Sequence, residues 1–167
     1  MRTVIIGQAP SQHSDPRRPL LGGHSGAKLQ ELCGFNLRQY FEAFDRANLI
    51  KSWPGCAAGG KGDAFPAPEA QAAAHAMLPA LFGRRVVLLG RGVAEAFGLR
   101  APPLEWTRLP CPGGWLEAAY LPHPSGINRW WNTKANTSAA ADFLRAEGER
   151  GLQERRQRVA AAARRSG

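Results

Sequence analysis

The run Arg85-Val86-Val87-Leu88-Leu89, closed by Gly90, offers no polar side chain to solvent over four consecutive residues. A strand of this kind is buried on both faces, the habit of parallel sheets with helices above and below. Thr3-Val4-Ile5-Ile6, Ala47-Asn48-Leu49-Ile50 and the segment Leu116 to Leu121 read as further short strands. Between them lie stretches of helical character at residues 27–33, 37–44, 69–81 (opened by Pro68), 93–97 and 138–147. Strand alternating with helix predicts a parallel α/β sheet covered on both faces, and right-handed crossovers leave few ways to connect it.

A chain of 167 residues with 44% hydrophobic content is long enough for one domain with a full core. The formal net charge is +9, which favours a polyanionic partner, nucleic acid foremost, although an arginine-rich composition alone makes many ordinary enzymes basic. Cys33, Cys56 and Cys111 are far apart, so neither a zinc ribbon nor a disulfide framework is expected. Met1-Arg2 leads directly into the first strand, and no apolar run approaches a membrane span. The expectation is a cytoplasmic monomer without membrane attachment. Beyond Gly148 the chain turns basic, with seven arginines against three glutamates from Arg145 to Gly167. This divides the chain into a folded domain over 1–147 and a basic tail or helix over 148–167.

Two loops carry the chemistry. Gly7-Gln8-Ala9-Pro10-Ser11 follows the first strand, and His123-Pro124-Ser125-Gly126-Ile127-Asn128 follows the last. Segments at the carboxyl ends of parallel strands converge on one rim, where open α/β sheets bind ligands. The first loop brings a tight turn, backbone N–H groups and an amide; the second brings an imidazole, a hydroxyl and an apolar tip. Together they suit a polar planar base held beside a phosphate.

Three further landmarks fall between these loops: Pro19-Leu20-Leu21-Gly22 with Gly26 and Leu29, Asn48 within Ala47-Asn48-Leu49-Ile50-Lys51, and Val87-Leu88-Leu89-Gly90 with Ala94 and Phe97-Gly98. In this order and spacing the motifs resemble those of the uracil-DNA glycosylase superfamily, over about residues 3 to 145. The resemblance implies an α/β fold of three layers, an α/β/α sandwich around a central four-stranded parallel sheet. It also implies excision of uracil from DNA after the base is flipped from the helix, leaving an abasic site.

Site roles follow from that resemblance. Asn48 stands as the base reader, because a rigid amide can accept from uracil N3–H and donate to O4, and meets cytosine with mismatched groups. His123 stands as the donor to uracil O2 that stabilises the departing anion, as an oxyanion-hole donor does. Gln8, Ala9 and Leu20 complete the uracil pocket, Gln8 also standing with His123 among the catalytic candidates. Ser11, Ser125, Gly126, Ile127, Asn128, Arg129 and Lys51 are the candidate DNA contacts, with Ile127 as a wedge into the duplex. Trp130 and Trp131 are either stacking platforms or buried anchors.

The match has gaps. Ala9 stands where the best-known members carry a water-activating Asp or Asn, leaving His13 and Asp15 downstream as catalytic candidates. Leu20 replaces the usual stacking phenylalanine, for which Trp53 or Phe65 are possible substitutes. Iron–sulfur branches place a close cysteine pair before the first motif, and none is present, so a branch without cofactor or metal is expected. No lysine is placed for a Schiff base, which implies a monofunctional enzyme. Gly59-Gly60-Lys61-Gly62 lacks the Ser/Thr and spacing of a P-loop, Glu95 replaces the third glycine of a dinucleotide fingerprint begun by Gly90-Arg91-Gly92, and Gly23-His24-Ser25-Gly26-Ala27 lacks the last glycine of a nucleophile elbow. The expected partner is DNA containing uracil. The alternatives are a non-catalytic binder of modified or abasic DNA and a relative acting on hypermodified thymine.

Overall fold

The computed structural model describes residues 1–165 except 16, 22, 61 and 125–127. The sheet is built from β1 (Val4–Gly7), β2 (Asp45–Asn48), β3 (Arg85–Leu89), β4 (Thr107–Cys111) and β5 (Gly114–Leu121). The helices are α1 (Gly23–Cys33), α2 (Leu37–Ala43), α3 (Ala67–Met77), α4 (Arg91–Ala96) and α5 (Lys134–Ala163). Strand order is β2-β1-β3-β5-β4. The first four of these run parallel, with Gly7 opposite Asn48 and Leu89 opposite Leu121.

The sheet therefore has five strands rather than four. The addition is β4, which pairs antiparallel with β5 through a tight turn. Its sequence, Thr-Arg-Leu-Pro-Cys, lacks the apolar run of a central strand. As an edge strand it tolerates Pro110, whose missing N–H is not needed on an open side.

Successive strand residues face opposite layers, and the core divides accordingly. Val4, Ile6, Val86, Leu88 and Tyr120 pack beneath α3 and α4. Ile5, Val87, Leu89 and Leu121 pack beneath α1, α2 and α5. This is the α/β/α sandwich, with strands apolar on both faces because both are covered.

Helix α5 spans thirty residues without interruption and passes through Gly148 and Gly151, both buried. A Cβ at Gly151 would stand 2.0 Å from the Ala43 carbonyl oxygen, and one at Gly148 would stand 2.2 Å from the Phe35 ring. Gly151 thus lets α5 lie against α2 at backbone distance, and Gly148 makes room for the Phe35 and Phe44 rings that flank α2. At the amino ends of the strands, buried Glu147 of α5 accepts from Thr3 Oγ1 at 2.7 Å and pairs with Arg85 and Arg150. That network pins the helix to the end of the sheet opposite the strand carboxyl termini.

Candidate functional site

Strand order reverses at β1: the chain goes outward to β2 on one side and to β3 on the other. Ligands in open α/β sheets bind outside the carboxyl ends at such a switch point. A cleft of about 490 Å³ opens there, within the size range of ligand pockets. Both sequence motifs reach it, and it takes in Gly7, Gln8, Ala9, Leu20, Asn48 and His123 together.

Asn48 ends β2. Its position is fixed by the ladder continuing beyond it, with Leu49 N–H donating to the Gly7 carbonyl and Ile50 N–H to the Gln8 carbonyl, each at 2.8 Å. Its Oδ1 is shut off from water and has no hydrogen-bond partner among the described residues. A buried acceptor without a donor costs about 1–3 kcal/mol, which a donor that displaced the cover over Oδ1 would recover.

Gly7 is where the amide and Leu20 come together. A Cβ there would meet Leu20 Cδ2 at 3.0 Å and Asn48 Oδ1 at 3.2 Å. Leu20 itself has a left-handed backbone, φ 55°. Such a conformation in a non-glycine residue costs on the order of 1–3 kcal/mol and tends to gather at functional sites. It turns an apolar wall over Gly7, beside the asparagine. Trp53 and Phe65 do not form that wall. Trp53 Nε1 donates to Asp63, and Phe65 packs on Gly92 in the core.

His123 follows β5 and is held at its backbone: its carbonyl accepts from Trp131 Nε1 at 3.0 Å and from Asn128 Nδ2 at 3.3 Å. Its Nε2 lies 3.2 Å from Ser25 Oγ at the start of α1, a hydrogen bond whose direction follows the imidazole tautomer. Burial lowers its pKa from the ordinary 6.5, Asp63 opposes that shift and His24 adds to it. The ring is therefore neutral at pH 7. It can present one N–H donor to the cleft without bringing a full charge.

The other residues singled out in the sequence divide by location. The Gln8 side chain braces the neighbouring loop, its Nε2 donating to the Ala64 carbonyl at 2.6 Å. Ser11 lies on the cleft wall, and its carbonyl accepts from both the N–H and the hydroxyl of Ser14 at 3.1 Å. Asn128 turns its amide to His123 and caps the short turn Arg129–Asn132 by accepting from Trp130 N–H. Trp130 and Trp131 meet edge to face with ring centroids 4.8 Å apart, and they support this loop from below. Arg129 and Lys51 are exposed, and neither lines the cleft.

His13 and Asp15 are exposed and likewise not part of the cleft wall. The Asp15 carboxylate accepts from Arg17 N–H and Arg17 Nε, and the backbone bond from Arg17 is the main reason its pKa is lowered. Ser125, Gly126 and Ile127, together with Gly22 of the turn before α1, lie outside the described residues.

Ser25, His24, Arg18 and Asp63 also line the cleft, and none of them is among the candidate site residues drawn from the sequence. Ser25 and His24 open a helix that sequence patterning starts only at Ala27. Asp63 lies in a glycine-rich loop whose path local patterning does not define. Among the described residues no group of three His, Cys, Asp or Glu side chains is placed to hold a metal ion. No helix among them is long and apolar enough to cross a membrane.

A parallel α/β sandwich whose switch-point cleft takes in both an asparagine amide and an imidazole has the architecture of the open-sheet α/β proteins that bind ligands at their strand carboxyl ends. Residues 1–145 match the Uracil DNA glycosylase superfamily, and the chain belongs to that superfamily. Membership places it among the DNA glycosylases, hydrolases of N-glycosidic bonds acting on DNA. No match is found among curated proteins.

Proposed function

We propose that this protein removes uracil from DNA by hydrolysing the N-glycosidic bond of a flipped nucleotide, leaving an abasic site. The observation that carries this reading is the unpartnered Oδ1 of Asn48, at the same cleft as the neutral imidazole of His123. Uracil satisfies both groups, with its N3–H meeting Asn48 and its O2 meeting His123. Cytosine has a bare N3 lone pair and would leave Oδ1 unsatisfied.

As the bond breaks, negative charge grows on the base and spreads to O2. A fixed donor there stabilises the leaving group more than the bound substrate, which is what lowers the barrier. Ser25 holds one imidazole nitrogen, while Trp131 and Asn128 hold the backbone, so the ring needs little reorganisation when the charge appears. Leu20 and Gly7 form the close apolar wall against a ring face. Ser11 and Arg18, at the cleft mouth, are suited to the flanking phosphates.

The test is alkaline strand cleavage of a labelled oligonucleotide carrying one uracil, single-stranded or opposite guanine or adenine. Wild type yields a uracil-dependent product, and His123→Ala lowers the rate by about 10²–10³ with the fold intact by circular dichroism. Ala9, which brings no carboxylate to the first loop, favours a second reading as a non-catalytic binder. Tight retention of uracil or abasic DNA without any product would establish that reading instead.

A further inference from the structure

We infer that Asp63 is the group that activates water in this enzyme, taking the place of the carboxylate that Ala9 lacks. This rests on the glycosylase reading above and names the general base for the same site. Among the described residues lining the cleft, Asp63 is the only carboxylate.

The loop from Ser52 to Pro66 is folded back so as to deliver it. Cys56 and Asp63 form an antiparallel bridge, and Ala57 N–H donates to Gly62 O while Ala64 N–H donates to Gly55 O, each at 2.9 Å. Gln8 ties the same loop to the first motif through the Ala64 carbonyl. The residue after Asp63 is thus bonded to the residue before Ala9. The carboxylate itself is oriented by Trp53, whose Nε1 donates to Oδ1 at 2.9 Å. Among the described residues Oδ2 takes no hydrogen bond, so it can accept from a water. Asp63 also lies close enough to His123 for its charge to oppose the effect of burial on that ring.

The step balances as follows. The C1′–N1 bond breaks with both electrons going to the base, whose anion is held by His123. A water oxygen forms the new bond to C1′ and its proton passes to the Asp63 carboxylate. The carboxylic acid then gives that proton to the departing anion or to solvent. The products are an abasic deoxyribose and neutral uracil. Positioned bases of this kind contribute about 10²–10⁴ in rate.

The experiment is single-turnover excision by Asp63→Asn, which keeps the acceptor for Trp53 and removes the base. Expected is a loss of about 10² or more, with affinity for an abasic-site oligonucleotide within about threefold of wild type. Trp53→Phe keeps the carboxylate and frees it, and the rate falls by less than in Asp63→Asn. An Asp63→Asn rate within about threefold of wild type, alongside an inactive His123→Ala, overturns the assignment and leaves the glycosylase reading standing. A wild type that excises no uracil from any oligonucleotide overturns that reading and this assignment with it.

Discussion

Asn48 shows how little of a residue's role is visible without its neighbours. In the sequence it is one asparagine beside a strand. In the fold, β1 fixes its backbone, Gly7 leaves space for its side chain, and its carbonyl oxygen is left without a donor. Replacing it by aspartate puts a charge where the neutral oxygen was and removes the N–H₂ that would meet uracil O4. Uracil excision by Asn48→Asp is expected to fall by about tenfold or more, since the donor to O4, worth about 1–3 kcal/mol, is lost and O4 then faces a carboxylate oxygen. Any residual activity should discriminate less against cytosine. Matched uracil and cytosine oligonucleotides read both effects, and unchanged selectivity would mean another residue reads the base.

Among the elements, α5 is the one most dependent on close approach. Gly151 places its backbone against that of α2, and Gly148, three positions earlier, admits the Phe35 and Phe44 rings. Alanine at Gly151 gains about 0.5–1 kcal/mol in helix propensity, yet its Cβ meets a backbone carbonyl that cannot rotate away. Overpacking of that sort costs about 1–3 kcal/mol, so the net change is destabilising. Thermal unfolding of Gly151→Ala should show Tm lowered by several degrees, at about 2–4 °C per kcal/mol for a domain of this size. A Tm at or above wild type would show that the helices separate at no cost. On the facing layer, β4 is a strand only because β5 pairs with it, Leu109 alone of its residues being buried.

At the scale of the molecule, the cleft and the basic end of α5 lie at opposite poles. The helix starts beside the turn that follows His123 and reaches Glu147 at the amino ends of the strands. Sixteen more residues carry it to Ala163, about 24 Å farther at 1.5 Å per residue. Arg158, Arg164 and Arg165 therefore point away from the rim where a flipped base would enter. Truncation after residue 157 is expected to leave uracil excision from a short oligonucleotide within about twofold, while weakening salt-sensitive binding to long DNA. Excision rates and salt-dependent affinities measured on both substrates check this. A large loss on the short oligonucleotide would place the tail at the lesion.

The sequence by itself determined β1, β3 and β5, the alternation with helices and the two loops at the strand ends, whereas the run Ala47 to Ile50 overlaps β2 only at Ala47 and Asn48. Those features are written in consecutive residues: an apolar run reports burial on both faces, and a strand's carboxyl end fixes where its loop emerges. Asn48 and His123 stood apart through the resemblance of their motifs to the superfamily rather than through the runs themselves. What the tertiary structure alone decided depends on pairings distant in the chain. The edge strand β4 needed β5, the passage of α5 through Gly148 and Gly151 needed α2, and the Ser25 contact to His123 spans 98 positions. Asp63 is the clearest case. Nothing in Gly62-Asp63-Ala64 distinguishes it from any loop aspartate, and it reaches the cleft through hydrogen bonds to Trp53, Gly55 and Gln8 made or flanked by its own loop. Periodicity records which side of an element is buried; the groups that meet at a cleft are settled only when separate elements are packed together.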